Sequence, residues 1–253
     1  MFRMAINELV RWKNSSDRKP MIVRGARQVG KTWLMREFGR TQYEQYAYIN
    51  FDNNERMEHL FSGNLDINRI IVALQIEARV TIDAENPLII FDEVQEVPNA
   101  LTSLKYFCEN APQYHVVAAG SLLGVALHPG TSFPVGKIDF MDLYPLNFLE
   151  FIQALGEQQL ANLLQSMDFD MITGFKGKYI DLLKQYYYIG GMPEAVKTFA
   201  ETSDYGKVRE VQKRLLMAYE QDFSKHAPNE TVPRIRMLWN SIPTQLAKEN
   251  RKF

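Results

Sequence analysis

The sequence predicts an α/β fold in two parts: a parallel five-stranded sheet between helices, then an α-helical lobe. Three observations carry this. Short apolar, β-branched segments alternate with helical ones as far as Leu143, strand signals vanish beyond Leu146, and a glycine-bearing run separates the first strand from its helix. Strands that alternate with helices build parallel sheets covered on both faces. The composition agrees: 253 residues, 46% hydrophobic and 23% charged, values of a globular protein that exclude disorder, collagen-like sequence and a coiled-coil rod. At roughly 100–200 residues per domain, the length suits one large domain or a domain with a lobe.

Ala5 to Trp12 reads as a short amphipathic helix, and Ser15-Ser16-Asp17 as the loop after it. Met21 to Val23 is an apolar strand that enters the run Gly25 to Thr32, and Trp33 to Phe38 carries helix formers. Tyr46 to Phe51 is aromatic and β-branched, hence a strand. Glu55 to Val80 reads as one helix with Ile70, Ile71, Leu74 and Ile76 on its apolar side. Leu88 to Phe91 is a compact strand after Pro87. A helix over Asn99 to Glu109 and a strand over His115 to Ala119 follow, and Lys137 to Leu143 is the fifth strand. Helical periodicity then covers Phe148 to Leu155, Tyr179 to Tyr188 and Val208 to Phe223. In the last of these, Val211, Leu215, Tyr219 and Phe223 recur every fourth residue as one stripe. Ile235, Leu238, Trp239, Ile242 and Leu246 begin a new element close to Phe253, the pattern of a third region that has only started.

The chemistry concentrates in the first part. Gly25-Ala26-Arg27-Gln28-Val29-Gly30-Lys31-Thr32 matches the phosphate-binding pattern G-x-x-x-x-G-K-[ST], in the strand-to-helix setting that the pattern requires. Glycines let the backbone N–H groups converge on phosphate oxygens, and the helix start adds a favourable dipole. Lys31 supplies a mobile positive charge for the β/γ-phosphates and Thr32 a hydroxyl for Mg²⁺. The apolar run Leu88 to Phe91 delivers Asp92 at a strand end, the second Mg²⁺ ligand. Glu93 follows as the base that polarises an attacking water, which favours hydrolysis over transfer. His115 to Ala119 leads through Gly120 to Ser121; in hydrolases of this layout such a strand lies between the other two, so Ser121 is the candidate reader of the γ-phosphate. The expected ligand is a nucleoside triphosphate with Mg²⁺; the absence of a guanine-reading Asn-Lys-x-Asp run favours ATP over GTP, as does the family resemblance given below.

Other features are weaker. Residues 1–40 carry a net charge of +7 and residues 41–100 of −8, while the whole chain carries −1. The basic segment suits either solvated surface that compensates the acidic one, or an anionic ligand or nucleic acid. Arg24 and Arg27 flank the loop, as site residues or as surface charge. His59, His115, His128 and His226 lack metal-ligand spacing, and Tyr186-Tyr187-Tyr188 reads as core ahead of a base-stacking platform. Cys108, the lone cysteine, excludes an intrachain disulfide and predicts a cytoplasmic protein. No signal-peptide core is present, and the longest uncharged apolar stretch, Val116 to Leu127, is shorter than the roughly 18 residues of a membrane span.

With the motifs placed, the chain resembles a family of prokaryotic AAA-type P-loop ATPases related to archaeal and signal-transduction (STAND-like) ATPases. The resemblance rests on Gly25 to Thr32, Phe91-Asp-Glu-Val-Gln95, Ala119-Gly-Ser121, the run Gly136 to Phe151, Gly190-Gly-Met-Pro193 and Tyr219-Glu-Gln-Asp222. It implies a P-loop ATPase domain over 1–150, an α-helical lid lobe over 151–230, and over 231–253 the start of a truncated, winged-helix-like C-terminal region. It also implies that Gly191 and Pro193 close over the adenine, the alternative being a helix break with Pro193 starting the next helix. A basic group at Lys137 would reach γ-phosphate charge, though lysine lacks the fork of an arginine finger. Expected partners are nucleotide, a second copy of the chain, or a protein of unknown kind; nucleic acid is the less supported. A nucleotide-gated switch with little turnover and a DNA-handling ATPase module are the alternatives to a Mg²⁺-dependent hydrolase.

Overall fold

The structure, a computed structural model, describes residues 2–85, 87–120, 136–226 and 230–249. Five strands form one sheet: β1 (Met21–Arg24), β2 (Ala47–Asn50), β3 (Leu88–Asp92), β4 (His115–Ala119) and β5 (Asp139–Asp142). Their order is β2-β3-β4-β1-β5 and every pairing is parallel, with Ile22 opposite both Ala118 and Phe140. The strand expected between the other two, β4, thus lies between β1 and β3. The chain end of β1 and that of β3 point the same way, which puts the residues after them at one edge of the sheet.

Strand alternation sorts the two faces. Ile89 and Phe91 of β3 pack with Met57, Leu60, Ile70, Leu74, Leu104 and Phe107, from α3 (Glu55–Ser62), α4 (Ile67–Ala78) and α5 (Pro98–Asn110). Leu88 and Ile90 face Leu9 and Trp12 of α1 (Ala5–Lys13) and Leu34, Met35 and Phe38 of α2 (Lys31–Gln42). The single helix expected over Glu55 to Val80 is two helices. Gly63 ends α3, and the Asp66 side chain accepts from the Arg69 amide at 2.9 Å to cap α4. A cap that satisfies an orphan amide starts a helix in its own right, so the chain turns between the two.

Beyond Leu146 the chain is helical: α6 (Phe148–Ala154), α7 (Gln158–Ser166), α8 (Phe169–Gly174), α9 (Lys176–Ile189), α10 (Pro193–Thr202), α11 (Tyr205–His226) and α12 (Val232–Glu249). An Asn147–Glu150 capping box opens α6. Leu146, Phe151, Ile189, Val196, Phe199, Val208, Val211 and Leu215 form the lobe's core. The tyrosine triplet divides. Tyr186 packs on Phe148 and Phe151 and donates to the Leu146 carbonyl at 2.7 Å, whereas Tyr187 and Tyr188 are exposed. Successive residues of a helix lie about 100° apart, so one core-facing tyrosine turns its neighbours outward. Among the described residues no helix is long and apolar enough to cross a membrane.

Candidate functional site

The loop 25–32 leaves β1 at the sheet edge. A Cβ on Gly25 would stand 2.3 Å from the Leu143 carbonyl oxygen, so the backbone approach itself requires glycine. Gln28 (φ 63°) and Gly30 (φ 95°) adopt left-handed conformations that turn the chain into α2, whose first-turn N–H groups have no helical partner and offer an anion site. Lys31 is buried and folds back on its own loop, donating to the Gly25 and Ala26 carbonyls at 3.0 and 2.9 Å. Burial lowers its pKa, against the opposing pull of Glu93 and Asp92. Its ammonium is therefore desolvated, and its hydrogen bonds among the described residues go to neutral carbonyls.

Across the site, Asp92 ends β3. Its Oδ2 accepts from Thr32 Oγ1 at 2.7 Å and from the Tyr48 phenol at 2.8 Å, and its Oδ1 accepts from the Glu93 amide at 3.2 Å. Burial and this hydrogen bond raise the Tyr48 pKa well above that of an ordinary phenol, so Tyr48 stays a donor. Glu93 has a left-handed backbone (φ 52°), the sparsely populated conformation that functional turns tend to store. The buried Gln95 amide donates to Glu93 Oε2 at 2.6 Å, and its own Oε1 has no partner among the described residues. Two hard oxygens, Thr32 Oγ1 and Asp92 Oδ2, thus meet beside a buried lysine, a donor set that fits Mg²⁺.

The helical lobe reaches the same loop. Pro193 Cγ lies 3.8 Å from where a Cβ on Gly30 would stand, so Pro193 sits on the loop; it also starts α10. Gly191 is fixed by a different contact: its own Cβ would meet the Leu146 carbonyl oxygen at 2.2 Å, and its carbonyl accepts from the Leu146 amide at 2.7 Å. From α11, Tyr219 and Asp222 touch Arg27.

Sequence reasoning missed several neighbours of the site. Arg3, one cation in a basic segment, is buried and donates to the Val29 carbonyl at 2.8 Å, the Tyr144 carbonyl at 2.6 Å and Glu150 Oε1 at 3.3 Å. Nothing local marked it. Tyr48 was legible only as a strand residue, and Gln95 only as part of a run. Arg24 pairs with Asp142 on β5 through Nε and Nη2, and Lys137 pairs with Glu109 at 3.0 Å. Ser121 and His128 lie outside the described residues, and His226 does so in its side chain. His115 is half-buried against Tyr43 and Trp12, and His59 is exposed. No cluster of three or more His, Cys, Asp or Glu side chains suited to a metal occurs among the described residues.

The model of a family described as an AAA domain matches residues 17–152, and one described as a domain of unknown function (DUF8612) matches residues 180–252. No curated protein matches the chain. Similar solved structures include PCH-2 of C. elegans, at 14% identity, covering 83% of this chain and 66% of that one, TM-score 0.44. They also include Drosophila ORC bound to DNA (18%, 97% and 66%, 0.44) and Pif1 helicase from Bacteroides in complex with ADP-AlF3 and ssDNA (15%, 64% and 46%, 0.38). The chain spans at most 66% of the length of these three. With more than half of its length matched by the one model, and a parallel sheet that carries the phosphate loop after β1, the chain belongs to the AAA domain family.

Proposed function

We propose that the chain binds ATP with Mg²⁺, hydrolyses it, and couples nucleotide state to its C-terminal helices. The observation that carries this reading is the meeting of Thr32 Oγ1 and Asp92 Oδ2 at 2.7 Å beside the buried Lys31. Lys31 would leave the Gly25 and Ala26 carbonyls for β/γ-phosphate oxygens, while the amides of residues 25–32 cradle the phosphates. Thr32 and Asp92 would hold Mg²⁺, which when bound supplies neutralisation of phosphate charge. Glu93 would take the proton of a water that attacks the γ-phosphorus; the bond to the ADP oxygen breaks, leaving ADP and inorganic phosphate. Ser121 would read the γ-phosphate, and Gly191 and Pro193 would close over the adenine. On this reading, residues 1–150 are the ATPase domain, 151–230 the lid, and 231–253 a C-terminal region of its own, acting in the cytoplasm alone or in an oligomer with a protein partner.

Steady-state hydrolysis of ATP with Mg²⁺ tests this. Wild type turns over, Glu93→Gln binds ATP but is slower by about 10²–10⁴-fold, and Lys31→Ala fails to bind. Wild-type turnover no faster than that of Glu93→Gln, with tight binding retained, would replace the hydrolase with a nucleotide-gated switch. One observation favours that second reading: the Gln95 amide already occupies Glu93 Oε2.

A further inference from the structure

Tyr219-Glu-Gln-Asp222 has no part in the chemistry proposed above, yet the fold brings both of its ends onto the phosphate loop. The Tyr219 phenol donates to the Arg27 carbonyl at 2.5 Å, and the Asp222 carboxylate pairs with the Arg27 guanidinium. These contacts join residues nearly two hundred positions apart in the chain. The Arg27–Gln28 peptide is trans, as are all those described. In a planar trans peptide the carbonyl and the following N–H point in opposite directions. Holding the Arg27 carbonyl therefore also aims the Gln28 N–H. Gln28 is the loop residue with φ 63°, a conformation that residues other than glycine seldom keep without support. Behind Tyr219, its ring lies 6.2 Å from Trp239 of α12, and Glu220 pairs with Arg236 at 3.6 Å.

We propose that Tyr219 and Asp222 are positioning residues of the phosphate loop. Acting through Arg27, they hold the Arg27–Gln28 peptide in its anion-receiving orientation and link that peptide to the α11–α12 pair. Tyr219 carries the larger share. Its phenol is half-buried and bonds to the backbone, whereas the Arg27 side chain is 44% exposed, and exposed ion pairs contribute little. This inference rests on the nucleotide reading of the same loop.

The test is calorimetric titration of the full chain with ADP and Mg²⁺, together with tryptophan emission. Tyr219→Phe, which removes one hydroxyl, is expected to weaken ADP binding by about 5- to 10-fold, the scale of one net hydrogen bond. Asp222→Asn is expected to weaken it by about 2- to 3-fold. With ATP, Tyr219→Phe should raise KM and leave kcat at saturation unchanged. In wild type, ADP should change an emission component that Trp239→Phe lacks, and Tyr219→Phe should abolish that component. A purely structural role would lower the thermal midpoint and leave the Trp239 response intact. The proposal is overturned by wild-type affinity in both variants, by tighter binding in Tyr219→Phe, or by a Trp239 response that survives the loss of the hydroxyl. If Tyr219→Phe does not fold, the affinity of Asp222→Asn and the response of Trp239 in that variant decide in the same way. If wild type binds no ADP, or Lys31→Ala binds it equally well, the nucleotide reading falls and this inference falls with it.

Discussion

Gly25 in the phosphate loop and Gly191 in the helical lobe belong to different parts of the fold, yet one short connector excludes a side chain from both. The Leu143 carbonyl would meet a Cβ at the first and the Leu146 carbonyl one at the second. The two regions reach that connector by different means. The loop gets there through the sheet ladder: Val23 pairs with Met141 and Arg24 with Asp142, and the Leu143 amide donates to the Arg24 carbonyl at 2.7 Å. The lobe gets there through single long-range contacts: Leu146 with Gly191, Tyr186 with Leu146, and Arg3 with Tyr144 and Glu150. A ladder spreads its load over many equivalent hydrogen bonds. The lobe's docking depends on a few residues, and it should be the easier of the two to disrupt.

Arg3→Ala offers the strongest test of that difference. It leaves the buried Glu150 carboxylate without a counter-charge, held by the Met4 and Asn147 amides alone, and takes the Arg3 donor from the Val29 and Tyr144 carbonyls, which should cost about 3 kcal/mol in urea unfolding. Arg3→Lys should recover only part of this, because one ammonium cannot reproduce a fork that serves three acceptors. A loss below about 1 kcal/mol in Arg3→Ala would refute the docking role. Gly191→Ala comes next, at about 3 kcal/mol, since a backbone oxygen at 2.2 Å cannot rotate away. Gly177→Ala, in the same lobe with nothing within 4 Å of its Cβ, should instead stabilise by up to about 1 kcal/mol. If both glycine variants respond alike, the close approach at Gly191 is not what fixes the lobe.

Acid should act first on the α/β part. Burial, aided by Arg18 and Lys13, pushes His115 down to about 4 from the usual 6.5. Between those values the unfolded chain binds the proton and the folded chain does not. Stability is thus whole above pH 6.5 and falls as pH drops toward 4, by about 1 kcal/mol once the imidazole's partial exposure is discounted. His115→Gln should flatten the difference in thermal midpoint across that window; equal slopes in variant and wild type would remove His115 from the account. The smallest contrast lies within the tyrosine triplet. Tyr186→Phe should cost about 1 kcal/mol through its bond to the Leu146 carbonyl, and Tyr187→Ala less than about 0.5 kcal/mol. A larger effect at Tyr187 would mean that its exposed ring packs on something in solution.

The sheet and the loop were legible because their signals are local. A phosphate loop is eight consecutive residues between a strand and a helix, and Asp92-Glu93 lies at the end of an unbroken apolar strand. The break within 55–80 was missed because Ile70 and Leu74 continue an apolar rhythm that hides Asp66's role as a cap. Tyr48 was out of reach for another reason: its phenol meets Asp92 only because β2 and β3 are neighbours, although their sequence separation is large.

By itself, the sequence determined which residues match the phosphate-loop pattern, that Asp92 and Glu93 stand at the end of the apolar strand β3, and that a helical lobe succeeds the sheet. Those features depend on spacing and period along the chain. Only the tertiary structure decided that Arg3 is buried, that Tyr219 and Asp222 sit on Arg27, and that Pro193 rests on Gly30. Each is a contact between distant segments, and its energy depends on distance and burial, quantities that exist only after the chain has closed on itself.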